Sequence, residues 1–385
     1  VSINKDFRTI AAANGIADDT AYGAVTPPLY LSSNFAFRQF EQAQAYEYSR
    51  TSNPTRDLLA DTLAKLEGGA GAVVTSSGMA AVNLILGLLK PGDRVIAPHD
   101  CYGGTYRLLA ALRDKGHFEV EFVDQGNSTA LASALDRGAA LVFVETPSNP
   151  LMRIVDIRSI SQQAKSAGAR LVVDNTFLSP ALQRPIALGA DFVIHSTTKY
   201  LNGHSDVVGG AVVAANSHDV EELKAWANMI GVTGSPFDSY LTLRGIRSLF
   251  ARIERQQTTA MAIAQFLSRH PQVGAVHYPG LPTHPGHELA AQQQSGFGAM
   301  LSFELNGGIE AIRRFVATLK IFTLAESLGG VESLVAHPAS MTHVGMGAEA
   351  RHAAGIRDGL LRVSVGLEAE EDLLSDFAAS LGKIE

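Results

Sequence analysis

A lysine, an aspartate and a serine-rich turn are the residues of this chain best placed to do chemistry together. Arg170-Leu-Val-Val-Asp174 ends an apolar run on a carboxylate, and Ser196-Thr197-Thr198-Lys199-Tyr200 follows the next apolar run with an amine in a small hydroxyl-rich turn. A carboxylate at the end of a buried strand is costly to desolvate unless a cation faces it. One chemistry uses both groups: pyridoxal phosphate (PLP) forms a Schiff base with a lysine, while a carboxylate keeps its ring nitrogen protonated so that the ring can accept electrons from a substrate carbanion. Its phosphate needs donors as well. Ser76-Ser77-Gly78-Met79 lies between an expected strand and an expected helix, so the amides of Gly78 and Met79 can point at an anion with the helix dipole assisting. Ser196 and Thr198 offer hydroxyls from the other side. Each feature alone has a bland reading: Asp174 as a helix cap, Lys199 as a solvated loop residue, the serine turn as a helix start. Their order on alternating strands is what points to PLP.

The elements that must position these residues read as α/β. Between about residues 60 and 215, short β-branched runs alternate with longer stretches of helical period, the mark of a sheet with crossover helices. Strands are expected over Gly71–Thr75, Arg94–Pro98, Val120–Asp124, Ala140–Glu145, Arg170–Asp174, Asp191–Ser196 and Val208–Ala214, and helices over Met79–Leu89, Gly104–Lys115, Ser128–Leu135 and Ile157–Ala167. Most of the strands are apolar on both faces, as in a largely parallel, covered sheet, whose ligands belong at the strand C-terminal ends. Residues 1–60 are rich in turn formers and read as an arm that needs another surface. Residues 61–255 form the expected cofactor domain and 256–385 a smaller α+β domain, with a helix over Arg255–Arg269, a strand over Ala299–Leu305, a helix over Ile309–Leu319 and the apolar run Leu360–Val365.

Composition narrows the alternatives. The 385 residues are 46% hydrophobic and 18% charged, ordinary for a globular chain of two to three domains. No apolar run approaches the roughly 20 residues of a membrane span, and the opening VSINKDFRTI has no apolar signal core, so a cytoplasmic enzyme is expected. The single Cys101 excludes an intramolecular disulfide and a thiolate cluster. A net charge of −7 without a basic run points to small-molecule ligands and not to nucleic acid. There is no Walker loop and no GxGxxG, and Gly203-His-Ser-Asp-Val207 lacks the final glycine of a nucleophile elbow. His277, His284, His287, His337, His343 and His352 carry no HExxH helix, so no metal is expected.

Longer motifs then come together: Tyr48-Ser-Arg50-Thr-Ser-Asn-Pro54-Thr-Arg56, Asp100-Cys-Tyr102-Gly-Gly, Glu145-Thr-Pro-Ser-Asn149-Pro150, Asp174-Asn-Thr-Phe, His195-Ser-Thr-Thr-Lys199-Tyr-Leu-Asn-Gly-His-Ser-Asp206 and Leu324-Ala-Glu326-Ser327-Leu-Gly-Gly. From about residue 6 to the end, the chain resembles the Cys/Met-metabolism family of PLP enzymes. The resemblance implies an aspartate-aminotransferase-like (type I) fold, and a homotetramer of two dimers whose active sites are shared between subunits. It implies Lys199 as Schiff-base lysine and proton shuttle, Asp174 on the ring nitrogen, and Tyr102 stacked on the ring as a possible assisting base. Gly78, Met79, Ser196 and Thr198 would hold the phosphate, joined by Tyr48 and Arg50 from the neighbouring subunit. Arg362 and Ser327 would take the substrate α-carboxylate, with Asn149 beside them. Read without the resemblance, Tyr102 is a core aromatic and Arg362 half of a surface ion pair.

The resemblance also implies a reaction, γ-replacement on an O-acylated homoserine, with succinyl as the expected acyl group, by the sulfur of L-cysteine to give L-cystathionine. Glu326 fits this, since members acting at the γ carbon tend to carry glutamate there and those eliminating at the β carbon an aromatic residue. Glu47 departs from it. Members that build cystathionine tend to have aspartate before Tyr-Ser-Arg, and those that cleave it at the γ carbon often have glutamate, so γ-elimination from cystathionine is the alternative. The short chain speaks against homoserine sulfhydrylases, which usually carry extra loop length. A catalytically silent binding or regulatory protein on the same fold is the reading from a different class.

Overall fold

The computed structural model describes residues 5–384. Their fold is α/β: a seven-stranded, mostly parallel sheet and a smaller five-stranded one. The strands of the larger sheet are β1 (Gly71–Thr75), β2 (Arg94–Pro98), β3 (Glu119–Val123), β4 (Leu141–Glu145), β5 (Arg170–Asp174), β6 (Phe192–His195) and β7 (Gly210–Ala214). Those of the smaller sheet are β8 (Val273–His277), β9 (Met300–Leu305), β10 (Thr323–Leu324), β11 (Leu334–Ala336) and β12 (Leu360–Ser364). The chain groups into two compact units, residues 1–90 with 172–250, and residues 91–171 with 251–385.

In the first unit the strand order is β1-β7-β6-β5. β5 and β6 are parallel, and β7 runs antiparallel to both β1 and β6. β4 and β7 are buried at every position, and β6 likewise, which accounts for their unbroken apolar sequences. Three strands have the bounds their sequence pattern predicts. β7 starts two residues later than its apolar run, because Gly209 is held by the Thr198 hydroxyl, which accepts from its N–H at 3.0 Å and donates to its carbonyl at 3.2 Å. The helix Pro54–Glu67 begins inside the segment expected as an arm. Asn53 caps it by accepting from the amides of Thr55 and Arg56, proline occupies its first turn, and Gly68 ends it at φ 77°, a left-handed conformation that suits glycine. Ahead of that helix the chain is largely irregular and leaves Tyr22 and Phe40 almost wholly exposed.

In the second unit β4, β2 and β3 lie in that order, with β2 parallel to both neighbours, and the smaller sheet runs β10-β11-β12-β9-β8. Phe303 of β9 meets Phe315 and Phe377 edge-on or tilted, on the helices Gly308–Thr318 and Glu370–Leu381. The long helix expected over Arg255–Arg269 starts earlier, at Leu249, and ends at Leu267. Among the described residues no helix is long and apolar enough to cross a membrane.

Candidate active site

The residues singled out from sequence fall into two sets, one on each unit. In the first unit, β5 ends at Asp174, and Lys199 sits in the turn that follows β6. That turn is pinned by its own backbone: the Lys199 amide donates to Ser196 O, Asn202 to Thr197 O and Gly203 to Lys199 O. The lysine is thereby half-buried on a rigid support. Asp174 accepts from the Thr176 amide at 2.9 Å, and Thr176 Oγ1 accepts from the Ser196 amide at 2.9 Å. One threonine therefore ties the aspartate to the start of the lysine turn. Burial pushes the Asp174 carboxyl above its ordinary value, opposed by hydrogen bonds from Thr176 and by the charge of His195. A carboxylate in that position is stabilised by a cationic partner.

The serine turn is the entrance to a helix, Gly78–Leu86, capped by Ser77, whose hydroxyl accepts from Ala80 N. A Cβ at Gly78 would come within 2.8 Å of Ser196 Cβ and 3.0 Å of its hydroxyl, so the helix entrance packs directly against Ser196, an approach that only glycine allows, and its first amides lie beside the Ser196 hydroxyl. Gly210 closes the back of this corner, where a Cβ would run into the Ser77 carbonyl. Thr198 is more committed than the sequence suggests, since its hydroxyl already serves Gly209. Tyr48 and Arg50 lie on the exposed arm. The Arg50 guanidinium donates to the carbonyl and to the side-chain oxygen of Asn228, both at 2.6 Å, and lies 5.6 Å from the Tyr48 ring centroid. Glu47 beside them is exposed.

In the second unit, Arg362 on β12 is 3% exposed, which removes it from the class of surface ion pairs. It donates through Nη1 to Asn149 Oδ1 and through Nη2 to Ser327 O, both at 2.9 Å. Two acceptors thus fix the plane of a guanidinium fork, the geometry that recognises a carboxylate through both oxygens. Ser327 has φ 94°, strained for a non-glycine residue. Tyr102 is 39% exposed and is no core aromatic. It precedes the helix Gly103–Asp114, its amide donating to Glu145 Oε2 at 2.9 Å while Glu145 Oε1 accepts from the Asn149 amide at 2.8 Å. Glu326 is exposed.

Sequence reasoning missed three positioning residues. Thr176 is one. Glu145 is the second, a buried carboxylate that binds the Tyr102 and Asn149 segments to one point; a charge closing the run Leu-Val-Phe-Val was its signal. His343 is the third: fully buried, it joins Asn149 O through Nε2 at 3.0 Å and Thr342 Oγ1 through Nδ1 at 2.8 Å. Burial, and then the charge of Arg362, lowers its pKa to about 4. Other histidines are engaged by the protein as well, His277 with Glu304 and His337 with Ser340 and the Asp358 carbonyl.

The first set fits PLP by its own chemistry: an amine on a pinned turn, a half-buried carboxylate in want of a cation, and a helix N-terminus that glycine lets pack beside a serine hydroxyl. Comparison with known proteins agrees. A family model described as Cys/Met metabolism PLP-dependent enzyme matches residues 8–382. Cystathionine gamma-synthase of Escherichia coli (strain K12) is 58% identical over 370 residues, 96% of each chain. Cystathionine gamma-lyase of Bacillus subtilis (strain 168) is 45% identical over 377 residues, 98% of this chain and 99% of that one. A crystal structure of cystathionine gamma synthase from Xanthomonas oryzae pv. oryzae in complex with cystathionine superposes with a TM-score of 0.99 at 59% identity, covering 99% of both chains.

Proposed function

We propose that this chain, which belongs to the Cys/Met metabolism PLP-dependent enzymes, catalyses γ-replacement on an O-acyl-L-homoserine, of which the O-succinyl ester is the first to test. The γ C–O bond breaks and the acid leaves, the thiol of L-cysteine adds its sulfur to the same carbon, and L-cystathionine forms. The observation that carries this reading is the end-to-end likeness, at 59% identity, to a synthase crystallised with cystathionine. The lyase of similar length is more distant, at 45%.

Bound PLP supplies an electron sink for negative charge on the substrate carbons. The chain's own groups do the rest. Lys199 Nζ would take the proton from the substrate α carbon, hand it on to the cofactor side and, unprotonated again, take one from the β carbon so that the γ substituent can depart; after the sulfur has added, the same amine would return protons to both carbons. The Tyr102 phenol would assist as base, and its ring would stack on that of the cofactor. Asp174 would hold the ring nitrogen, while Gly78, Met79 and Ser196 would hold the phosphate, joined by Thr198 once its hydroxyl turns from the Gly209 carbonyl. Arg362, aimed by Asn149 and the Ser327 carbonyl, takes the α-carboxylate. Glu326 bears on the choice of γ over β chemistry, and Glu47 on how a substrate amino group is held.

In this reading Tyr48 and Arg50 complete the phosphate site of a neighbouring subunit in a homotetramer, supported by the exposed apolar arm that carries them. Hybrids of Arg50→Ala and Lys199→Ala chains then recover activity that neither variant has alone, because one site in such a dimer draws both intact residues.

The deciding assay supplies O-succinyl-homoserine with and without cysteine, and cystathionine alone. Cystathionine formed from the first mixture supports the synthase. Breakdown of cystathionine to 2-oxobutanoate without any synthesis overturns it in favour of the γ-lyase reading, which Glu47 favours.

A further inference from the structure

A buried polar cluster behind the cofactor residues is used by none of the steps above. Glu67 is the last residue of the helix Pro54–Glu67 and is 1% exposed. A carboxylate there is expensive twice over, since it is desolvated and it stands at the negative end of a helix dipole. Its Oε1 meets His195 Nε2 at 2.7 Å and accepts from Asn175 Nδ2 at 2.9 Å. The other atoms of the pair, Glu67 Oε2 and His195 Nδ1, are buried without a hydrogen-bond partner among the described residues. Asn175 also donates to the Gln183 carbonyl and accepts from the Gln183 side-chain amide at 3.1 Å. Burying a carboxylate against an imidazole with two unmet polar atoms does not repay itself in stability, so its place in the fold asks for another reason.

The register supplies one. Asp174 and Ile194 are paired across β5 and β6, and Asn175 and His195 are the next residue on each strand, with the Asn175 amide donating to Ile194 O at 3.0 Å. Successive side chains of a strand point to opposite faces. Asn175 and His195 therefore project away from the face that Asp174 serves, and both end on one carboxylate. Immediately beyond them lie Thr176, which holds Asp174, and Ser196, which opens the lysine turn. His195 also lends its charge in favour of an ionised Asp174, the sign a cationic ring nitrogen needs.

We propose that Glu67 and His195, with Asn175, form a positioning clamp that fixes the two strand ends bearing Asp174 and the Ser196–Lys199 turn, and so sets how firmly the ring nitrogen of PLP is held. The inference rests on the assignment of Asp174 to that nitrogen. Neither Glu67 nor His195 touches the cofactor.

A double-mutant cycle tests it on cofactor-loaded protein, read by PLP dissociation constant and by the visible band of the bound cofactor across pH, with circular dichroism as a check on folding. Glu67→Gln keeps the shape and the Asn175 contact but removes the charge. It is expected to weaken PLP binding about tenfold, the equivalent of one compromised buried hydrogen bond, and to move the pH midpoint of the visible band. In an Asp174→Asn background the same substitution is expected to change the constant less than about twofold, because coupled residues lose their interaction once one partner is gone. Equal losses in both backgrounds, or no loss in either, overturn the clamp. Asp174→Asn that binds PLP as tightly as the parent instead overturns the assignment of Asp174. Should Glu67→Gln fail to fold, the cycle is run with His195→Gln under the same criteria.

Discussion

The two units build their parts of the chemistry in different ways. In the first, the residues assigned to the cofactor are fixed by backbone: a turn pinned from Ser196 to Gly203, a helix entrance capped by Ser77, and an aspartate tied by the next residue but one. In the second, the residues proposed for the substrate carboxylate are fixed by side chains reaching far along the sequence. Arg362 depends on Asn149, 213 positions away, and Asn149 depends on His343, 194 positions away. A backbone-built site resists substitution except where a particular atom does the chemistry or a glycine clears space. A side-chain-built site can be retuned one residue at a time, at the risk of leaving a buried partner unpaired. On the proposed assignments, the cofactor residues of the first unit are thus the fixed element and the substrate residues of the second the adjustable one.

The sharpest way to break that contrast is Lys199→Ala. Removing the amine while leaving its turn intact is expected to lower turnover by about 10⁴-fold or more, with an unchanged circular dichroism spectrum. Substantial activity in that variant would move the chemistry off the first unit altogether. Arg362→Lys probes the other side. Replacing a fixed fork by a point charge is expected to lower kcat/KM by about 10- to 100-fold, the range for losing a hydrogen bond to a charged group, while PLP affinity stays within about twofold. A matching loss of PLP would mean that the two sets are not separable.

The same difference decides what could be read from sequence. β1, β2 and β5 were legible to the residue because both faces of each are apolar and their ends are marked by glycine, proline or charge. Gly78, Asp174 and Lys199 were legible because each stands at the end of such a run, where a mechanism can be argued locally. Arg362 on β12 has no local mark: its role rests on Asn149 and Ser327, and only the family resemblance pointed to it. β7 starts later than its apolar run for a related reason, since it is shortened by a hydroxyl on Thr198, in a different segment. Glu67, Thr176 and His343 are silent because their function is a contact, and contacts have no signature in a single chain, whereas Glu145 is marked only by the charge that closes its apolar strand.

Two smaller effects sharpen the comparison. Gly78→Ala is expected to weaken PLP binding about tenfold without changing substrate KM at saturating cofactor, because the new methyl group intrudes on Ser196 at 2.8 Å and shifts one phosphate donor. A dissociation constant within twofold of the parent would show that the space beside Ser196 is not used by the phosphate.

The smallest effect separates the units by acid sensitivity. His343 and His284, both in the second unit, have pKa values lowered to about 4 from the ordinary 6.5, chiefly by burial. A lowered pKa means that the unfolded chain binds protons where the folded chain does not. The stability each histidine contributes is therefore complete above about pH 6.5, declines as pH falls below that, and is gone once pH passes the folded value near 4. Between pH 7.5 and 5.5 the loss is about 1 kcal/mol for each histidine. His343→Gln keeps an amide donor toward the Asn149 carbonyl but cannot take up a proton, so its melting temperature is expected to fall less than the parent's over that pH range. The drop should appear first in substrate binding, because the histidine that titrates backs the residue that aims Arg362. Parent and variant curves that run parallel from pH 7.5 to 5.5 would remove His343 as the source of acid sensitivity and leave His284, whose ring accepts from the Gly286 amide at 3.0 Å, as the group to substitute next.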